Sequence, residues 1–137
     1  SMMNDVTKFL TDNPVQYFAT TGLDGRPKVR PFQFMTEHDG KLFFCTSNQK
    51  EVFKEITQSP EVEVCVSSPS FAWLRLSGKV KFYSSKELKT KIIESSPLVK
   101  SIYHDACNPQ FEIFYLENCT AVIADFSGNA PRKYTLS

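Results

Sequence analysis

The chain has 137 residues, a formal net charge of +1, 41% hydrophobic and 13% aromatic residues. That is the length of one domain with a sizeable core, and the composition is that of a globular rather than a disordered chain. Near-neutral charge gives no electrostatic reason to expect nucleic acid or an anionic membrane as partner, and no apolar run reaches the roughly 20 residues of a membrane span.

In chain order, Ser1 ahead of Met2 reads as a cloning remnant, and residues 1–137 read as one domain. Met2-Met3-Asn4-Asp5 lacks the basic and apolar stretches of a secretory signal. Val6, Phe9 and Leu10 share one helical face, and Asn13-Pro14 ends that helix. Val15–Thr20 reads as a strand, Asp24-Gly25 as a hairpin turn and Pro27–Phe34 as the returning strand. A second turn at Asp39-Gly40 leads into a strand over Lys41–Thr46, so these three strands are expected to form a meander. Gln49–Ser59 is expected to be a helix that starts at Ser47-Asn48, stops at Pro60 and turns Val52, Phe53 and Ile56 to the core.

Glu61–Ser67 alternates, with Val62, Val64 and Val66 on one side and Glu61, Glu63 and Cys65 on the other. Phe71–Phe82 is a long strand with Leu74, Leu76, Gly78 and Val80 on one face and Trp73, Arg75, Ser77 and Lys79 on the opposite one. Gly78 inside it suggests a bulge. Ser84 to Glu87 has capping-box spacing and predicts a helix to about Glu94, and Pro97 predicts another to about Tyr103. Phe111–Leu116 and Thr120–Phe126 read as two last strands joined by a turn at Glu117-Asn118, followed by an irregular tail from Ser127. Strands outnumber helices and hairpins join most of them, so a mainly β protein is expected: an antiparallel barrel of six to seven strands with flanking helices.

Cys45, Cys65, Cys107 and Cys119 contain no C-x-x-C pair. They read as small buried hydrophobes in a reducing compartment, which makes a cytoplasmic location the expectation. The two common phosphate-loop patterns and the G-x-S-x-G nucleophile pattern are missing. His104-Asp105-Ala106-Cys107 reads as a solvated connector rather than a metal site. No catalytic residue is singled out. The positive signal is the run Phe44–Lys50, where Thr46, Ser47 and Asn48 stand at a strand end turning into a helix start with Lys50 close behind. Such an end favours a phosphate through orphan N–H groups and its dipole. The same residues also suit a plain helix cap with a solvated lysine.

The order of an Arg30-Pro31 strand, an Asp-Gly turn, an aromatic strand ending in Thr46-Ser47 and Lys50 soon after resembles the pyridoxamine 5′-phosphate oxidase-like, FMN-binding split-barrel family. The phrases Ala19–Pro27, Ser59–Val62 and Leu76–Val80 extend that resemblance over nearly the whole chain, toward its short nitroimidazole-reductase-like branch. The resemblance implies a homodimer with flavin at the subunit interface. Arg30, Pro31, Phe32 and Gln33 match the strand along the flavin ring, with Arg30 reaching toward phosphate or ribityl chain. Thr46, Ser47 and Lys50, with Asn48 and Gln49 beside them, match the phosphate turn. Trp73 and Arg75 are the residues a second subunit would contribute, or else an ordinary surface pair. After Arg30 comes Pro-Phe-Gln-Phe rather than the Val-Leu-Leu-Lys run of the true oxidase, and the tail lacks its histidine and Trp-Arg elements. The cofactor is therefore expected and the vitamin B6 substrate is not. The implied activity is an FMN-dependent oxidoreductase acting on a small molecule, with NADH or NADPH as electron donor. The alternatives are a module that only holds flavin, haem or another planar ligand, and a deazaflavin-dependent reductase on the same scaffold.

Overall fold

The computed structural model describes residues 1–136. The element order is α1 (Met2–Asp12), β1 (Gln16–Thr21), β2 (Pro27–Phe32), β3 (Thr36–His38), β4 (Lys41–Ser47), α2 (Glu51–Gln58), β5 (Glu61–Ser67), β6 (Trp73–Tyr83), α3 (Lys86–Ser95), α4 (Pro97–Tyr103), β7 (Phe111–Ala124) and β8 (Arg132–Thr135). All pairings are antiparallel in the order β2-β1-β5-β6-β7-β4-β3, with β8 added to β7. The expected mainly β class holds, with eight strands rather than six or seven.

The expected meander does not form. β2 pairs with β1 alone and β4 pairs with β3 and β7, so β2 and β3 are opposite ends of the sheet path. Yet only residues 33–35 separate them in the chain, a link of at most about 14 Å. The sheet must therefore roll until its two ends meet. Closure by a covalent link, with no β2–β3 ladder, makes the barrel split. Gln16, fully buried, secures the crossing: its Nε2 donates to Leu10 O at 3.0 Å and Asn13 O at 2.8 Å, while its Oε1 accepts from the Phe34 N–H at 2.6 Å.

Two apolar clusters flank the β4–β7 ladder. Leu42, Phe44, Phe114 and Leu116 face the barrel interior with Val64, Leu74 and Leu76, and Val6 and Leu10 of α1 and Val52 and Ile56 of α2 join them. Phe43, Phe111 and Ile113 face the other way, onto Leu88, Ile92 and Ile93 of α3 and Val99 and Tyr103 of α4. Strands covered on both sides read as unbroken apolar runs, which explains Leu42–Cys45 and Ile113–Leu116.

Three further expectations need correction. Glu117-Asn118 is not a turn, because β7 runs unbroken through it. Its register against β6 slips between Ser77 and Lys79, and Asn118 takes φ 53°. The turn-like dipeptide is thus a bulge opposite Gly78, and it bends both long strands. The tail is not irregular either, since β8 pairs with Thr120–Ile123. Finally, the capping box does not form: Ser85, not Ser84, caps α3 by accepting from the Leu88 N–H at 3.1 Å, which leaves Leu88 rather than a glutamate at the third helical position.

A Cβ on Gly78 would sit 2.9 Å from Leu116 Cβ and 3.2 Å from Glu117 O. Gly78→Ala should therefore cost about 1–3 kcal/mol through overpacking at the bulge, read as a lower chemical-denaturation midpoint. An unchanged midpoint would show that β7 can move aside freely.

All four cysteines are free thiols, but only Cys119 is buried; Cys45 is half-buried and Cys65 and Cys107 are exposed, against the expectation of four buried ones. Cys65 faces outward because it alternates with Val64 and Val66. Burial pushes the Cys119 thiol up to about 12. Its neutral form is thus favoured by folding: that stability is fully present below about 9 and is lost as pH rises toward 12. We expect a thiol reagent at neutral pH to modify Cys107 in the native protein and Cys119 only on unfolding. Rapid native modification of Cys119 would contradict the packing around it.

Candidate functional site

The lower edge of the site is built by β2 and the crossing that follows it. An edge strand tolerates Pro27 and Pro31, which cannot donate to a ladder. Phe32 turns inward and stacks on Phe18, with centroids 4.5 Å apart and rings 25° from parallel. Pro31 and Gln33 stay exposed on either side of it. These three residues, with Met35, Cys45 and Lys50, form one wall of a groove of about 130 Å³. Leu98, Val99, Ile102 and Tyr103 of α4 form the other. Leu98 and Ile102 are 61% and 55% exposed, so this wall presents unpartnered apolar surface.

The groove's polar end lies where β4 runs into α2. The helix begins later than expected, at Glu51, with Lys50 at its N-cap position and no side chain capping it. Neither Ser47 nor Asn48 is the cap. Ser47 Oγ accepts from the Gln49 N–H at 3.1 Å, and Lys50 N donates to Ser47 O at 3.1 Å, which closes a tight turn. Asn48 is committed to the protein: its Nδ2 donates to Pro109 O at 2.8 Å and Glu112 Oε2 at 2.9 Å, stapling this turn to the loop before β7. Gln49 is exposed and donates to Asn48 Oδ1 at 2.7 Å. Lys50 is exposed and forms no ion pair with any described residue. Thr46 is 2% exposed, and its Oγ1 is the one buried side-chain polar atom among the described residues without a hydrogen-bond partner.

Arg30 does not point freely into this groove. Its Nη2 donates to Glu55 Oε1 at 2.7 Å, and its Nη1 donates to Thr20 Oγ1 at 2.7 Å and Phe18 O at 3.2 Å. Glu55, on α2, is 2% exposed, and an unpaired carboxylate that deep would be strongly unfavourable. Nothing in the sequence pattern of α2 marked Glu55 beforehand, since it occupies a helical face expected to hold Val52, Phe53 and Ile56. Phe53 is only half-buried and packs on Phe82.

Trp73 and Arg75 do not line the groove. They lie on the outer sheet face, with the Arg75 guanidinium 5.0 Å from the Trp73 ring centre and its Nε 3.5 Å from Glu63 Oε2. Cross-strand partners share a face, and Pro31, Tyr17, Cys65, Arg75 and Val122 are successive partners across β2, β1, β5, β6 and β7. Pro31 and Arg75 thus stand on one surface, three strand spacings or about 14 Å apart. Val15, Tyr17 and Val29, each more than half exposed, enlarge the apolar part of this region.

Cys45 lines the groove, and burial pushes its thiol up to about 12 against the opposing pull of Lys50, which favours the neutral thiol. Tyr103 is likewise raised to about 12 by burial. Among the described residues there is no cluster of His, Cys, Asp or Glu able to hold a metal ion, and no helix is long and apolar enough to cross a membrane.

The family model for pyridoxamine 5′-phosphate oxidase matches residues 2–118. The chain belongs to the pyridoxamine 5′-phosphate oxidase family. Solved structures agree. A NimC/NimA family protein from Clostridium acetobutylicum is 31% identical, with a TM-score of 0.90 over 98% of this chain and 92% of that one. A pyridoxamine 5′-phosphate oxidase-related, FMN-binding protein from Nostoc punctiforme shares the fold at 17% identity and a TM-score of 0.77, covering 95% of this chain and 86% of that one. A haem-binding protein from Mycobacterium smegmatis shares it at 15% identity and 0.77, covering 98% of this chain and 58% of that one. The sequence matches no curated protein.

For a member of the pyridoxamine 5′-phosphate oxidase family, the fit of the residues present to FMN can be judged from the groove itself. The ligand is a flat apolar ring carrying a phosphate. The groove offers apolar walls at one end. At the other it offers an unpaired ammonium beside an uncapped helix start. These donors suit a phosphate. The groove's volume, however, is well below the roughly 300 Å³ at which ligand sites begin.

Proposed function

We propose that the protein is an FMN-dependent oxidoreductase that works as a homodimer on a small-molecule substrate. The observation that carries this reading is the pairing of Lys50 and the uncapped start of α2 with the apolar groove along Pro31–Gln33, in a member of this family. Lys50, Thr46 and the Ser47–Gln49 turn hold the phosphate. Pro31, Phe32 and Gln33 lie along the ring. Bound FMN supplies the two-electron chemistry. The chain's own residues bind and orient it and, through α4, shield it from water.

The second copy closes the groove. The small volume of the groove and the apolar outer face support this, because Pro31 and the Trp73–Arg75 pair share that face and a two-fold contact would bring one beside the other. Trp and Arg suit such a contact. NADH or NADPH is the proposed electron donor, and the four free thiols fit a reducing, cytoplasmic setting.

Titration of the purified protein with FMN, the deazaflavin cofactor and haem tests the reading, alongside light scattering for mass. Tight FMN binding at one per chain in a dimer, with the flavin bleached anaerobically by NADH or NADPH, is expected. A monomer that ignores FMN would overturn it. A haem-only spectrum would favour a binding module like the M. smegmatis relative. Bound FMN that neither nucleotide reduces would leave the protein a flavin holder.

A further inference from the structure

Glu55 is buried far beyond what a helix surface requires, and its hydrogen bonds form a closed set. Its Oε1 accepts from Thr20 Oγ1 at 2.7 Å and from Arg30 Nη2 at 2.7 Å, and Arg30 Nη1 returns to Thr20 Oγ1 at 2.7 Å. Thr20 is 5% exposed and Arg30's side chain 24%. The three residues come from β1, β2 and α2, so the triangle ties the helix to both strands. Val52 and Ile56 also hold α2 on the barrel, but apolar contact resists sliding and rotation weakly. Directional, charge-assisted bonds resist both.

Both ends of the proposed site are tied to this triangle. Pro31–Gln33 follows Arg30 directly. Lys50 and the open helix start lie five residues before Glu55, about 7.5 Å along the axis. We propose that the buried Thr20–Arg30–Glu55 network is a positioning device that sets the phosphate end of the groove at a fixed separation from the strand that carries the ring. This rests on the FMN reading above. It also gives Arg30 a task other than touching the phosphate, and names two residues, Thr20 and Glu55, that contribute without touching the ligand.

FMN and riboflavin differ only in the phosphate, so their affinity ratio reports the placement of the phosphate end. Thr20→Val keeps shape and charge but removes the hydroxyl that both partners use. The FMN-over-riboflavin preference should fall about tenfold, with riboflavin affinity changed less than about twofold. Thr20→Ser should restore the preference. Arg30→Lys keeps the charge, loses the planar fork and should lower the ratio as Thr20→Val does. Thermal melting of each apoprotein runs in parallel. A variant pair that melts lower yet keeps the wild-type ratio would reduce the network to a stabilising feature and overturn the proposal. Wild-type protein that binds FMN and riboflavin equally would overturn the phosphate site itself, and this role with it.

Discussion

Lys50→Glu is expected to strip FMN from the protein while leaving its fold intact. Lys50 is exposed and unpaired among the described residues, so its substitution should change the melting temperature of the apoprotein little. Its ammonium stands at the N-cap position of α2, where the helix start already favours negative charge. A hydrogen bond to a charged group contributes about 1.5–3 kcal/mol, so Lys50→Ala alone should weaken FMN binding by roughly 30-fold. Glutamate adds repulsion of the phosphate and should cost at least about another tenfold. Riboflavin, without the phosphate, should bind both variants as it binds the wild type. Because the group is solvent-exposed, the wild-type advantage should shrink with added salt. Fluorescence titration measures all of this. If Lys50→Glu retained FMN at wild-type affinity, the phosphate would lie elsewhere, and the turn from Ser47 to Lys50 would be a plain strand-to-helix connection.

The largest loss of stability is expected from Phe114→Ala. Phe114 is fully buried on β7 and lies at the centre of an aromatic cluster, with ring centroids 5.8 Å from Phe18, 6.0 Å from Phe44, 6.0 Å from Phe82 and 6.4 Å from Phe32. Its backbone is paired on both sides, to Phe44 and to Phe82, so the strands cannot collapse into the space left by the ring. Truncating such a residue costs about 3–5 kcal/mol, a drop of roughly 10–20 °C in Tm for a domain of this size. The loss reaches the site as well. Phe32, which lines the groove, rests on Phe18 and faces Phe114, so a hole beneath it should weaken ring binding for FMN and riboflavin alike. Phe114→Leu should recover more than half of the stability. A drop of only a few degrees for the alanine variant would mean that the cluster repacks easily.

The two substitutions separate what this site is made of. Lys50 should act on the phosphate alone, and Phe114 on stability and on the surface beneath the ring.

How much of this was legible beforehand varied with the range of the interaction. Val62, Val64 and Val66 inside, with Glu61, Glu63 and Cys65 outside, followed from period two alone, as did the two faces of Trp73–Val80. Gly78 signalled a bulge correctly, because a missing Cβ in a strand marks a close approach. Its partner carries no such local mark: Glu117-Asn118 has turn chemistry, and only the facing strand shows that the extra residue is absorbed within a continuous ladder. Three strand-like segments joined by two turn signals likewise read as a meander. Which strand pairs with which depends on how the sheet curls, and a local window has no information on that.

At the site, the residue types at Pro31–Gln33 and Thr46–Lys50 were visible, and the groove does bring Pro31, Phe32, Gln33 and Lys50 together. What Arg30 does was not visible, because its partner Glu55 lies 25 residues away on another element. The sequence by itself determined the mainly β class, the strand faces and the chemistry available at the β4–α2 turn, since these rest on side-chain periodicity and local backbone preference. Only the tertiary structure decided that the barrel closes through residues 33–35, that Arg30 is held by a buried carboxylate, and that Pro31 shares a face with Trp73 and Arg75. Those are contacts between distant segments, set by sheet curvature and mutual packing.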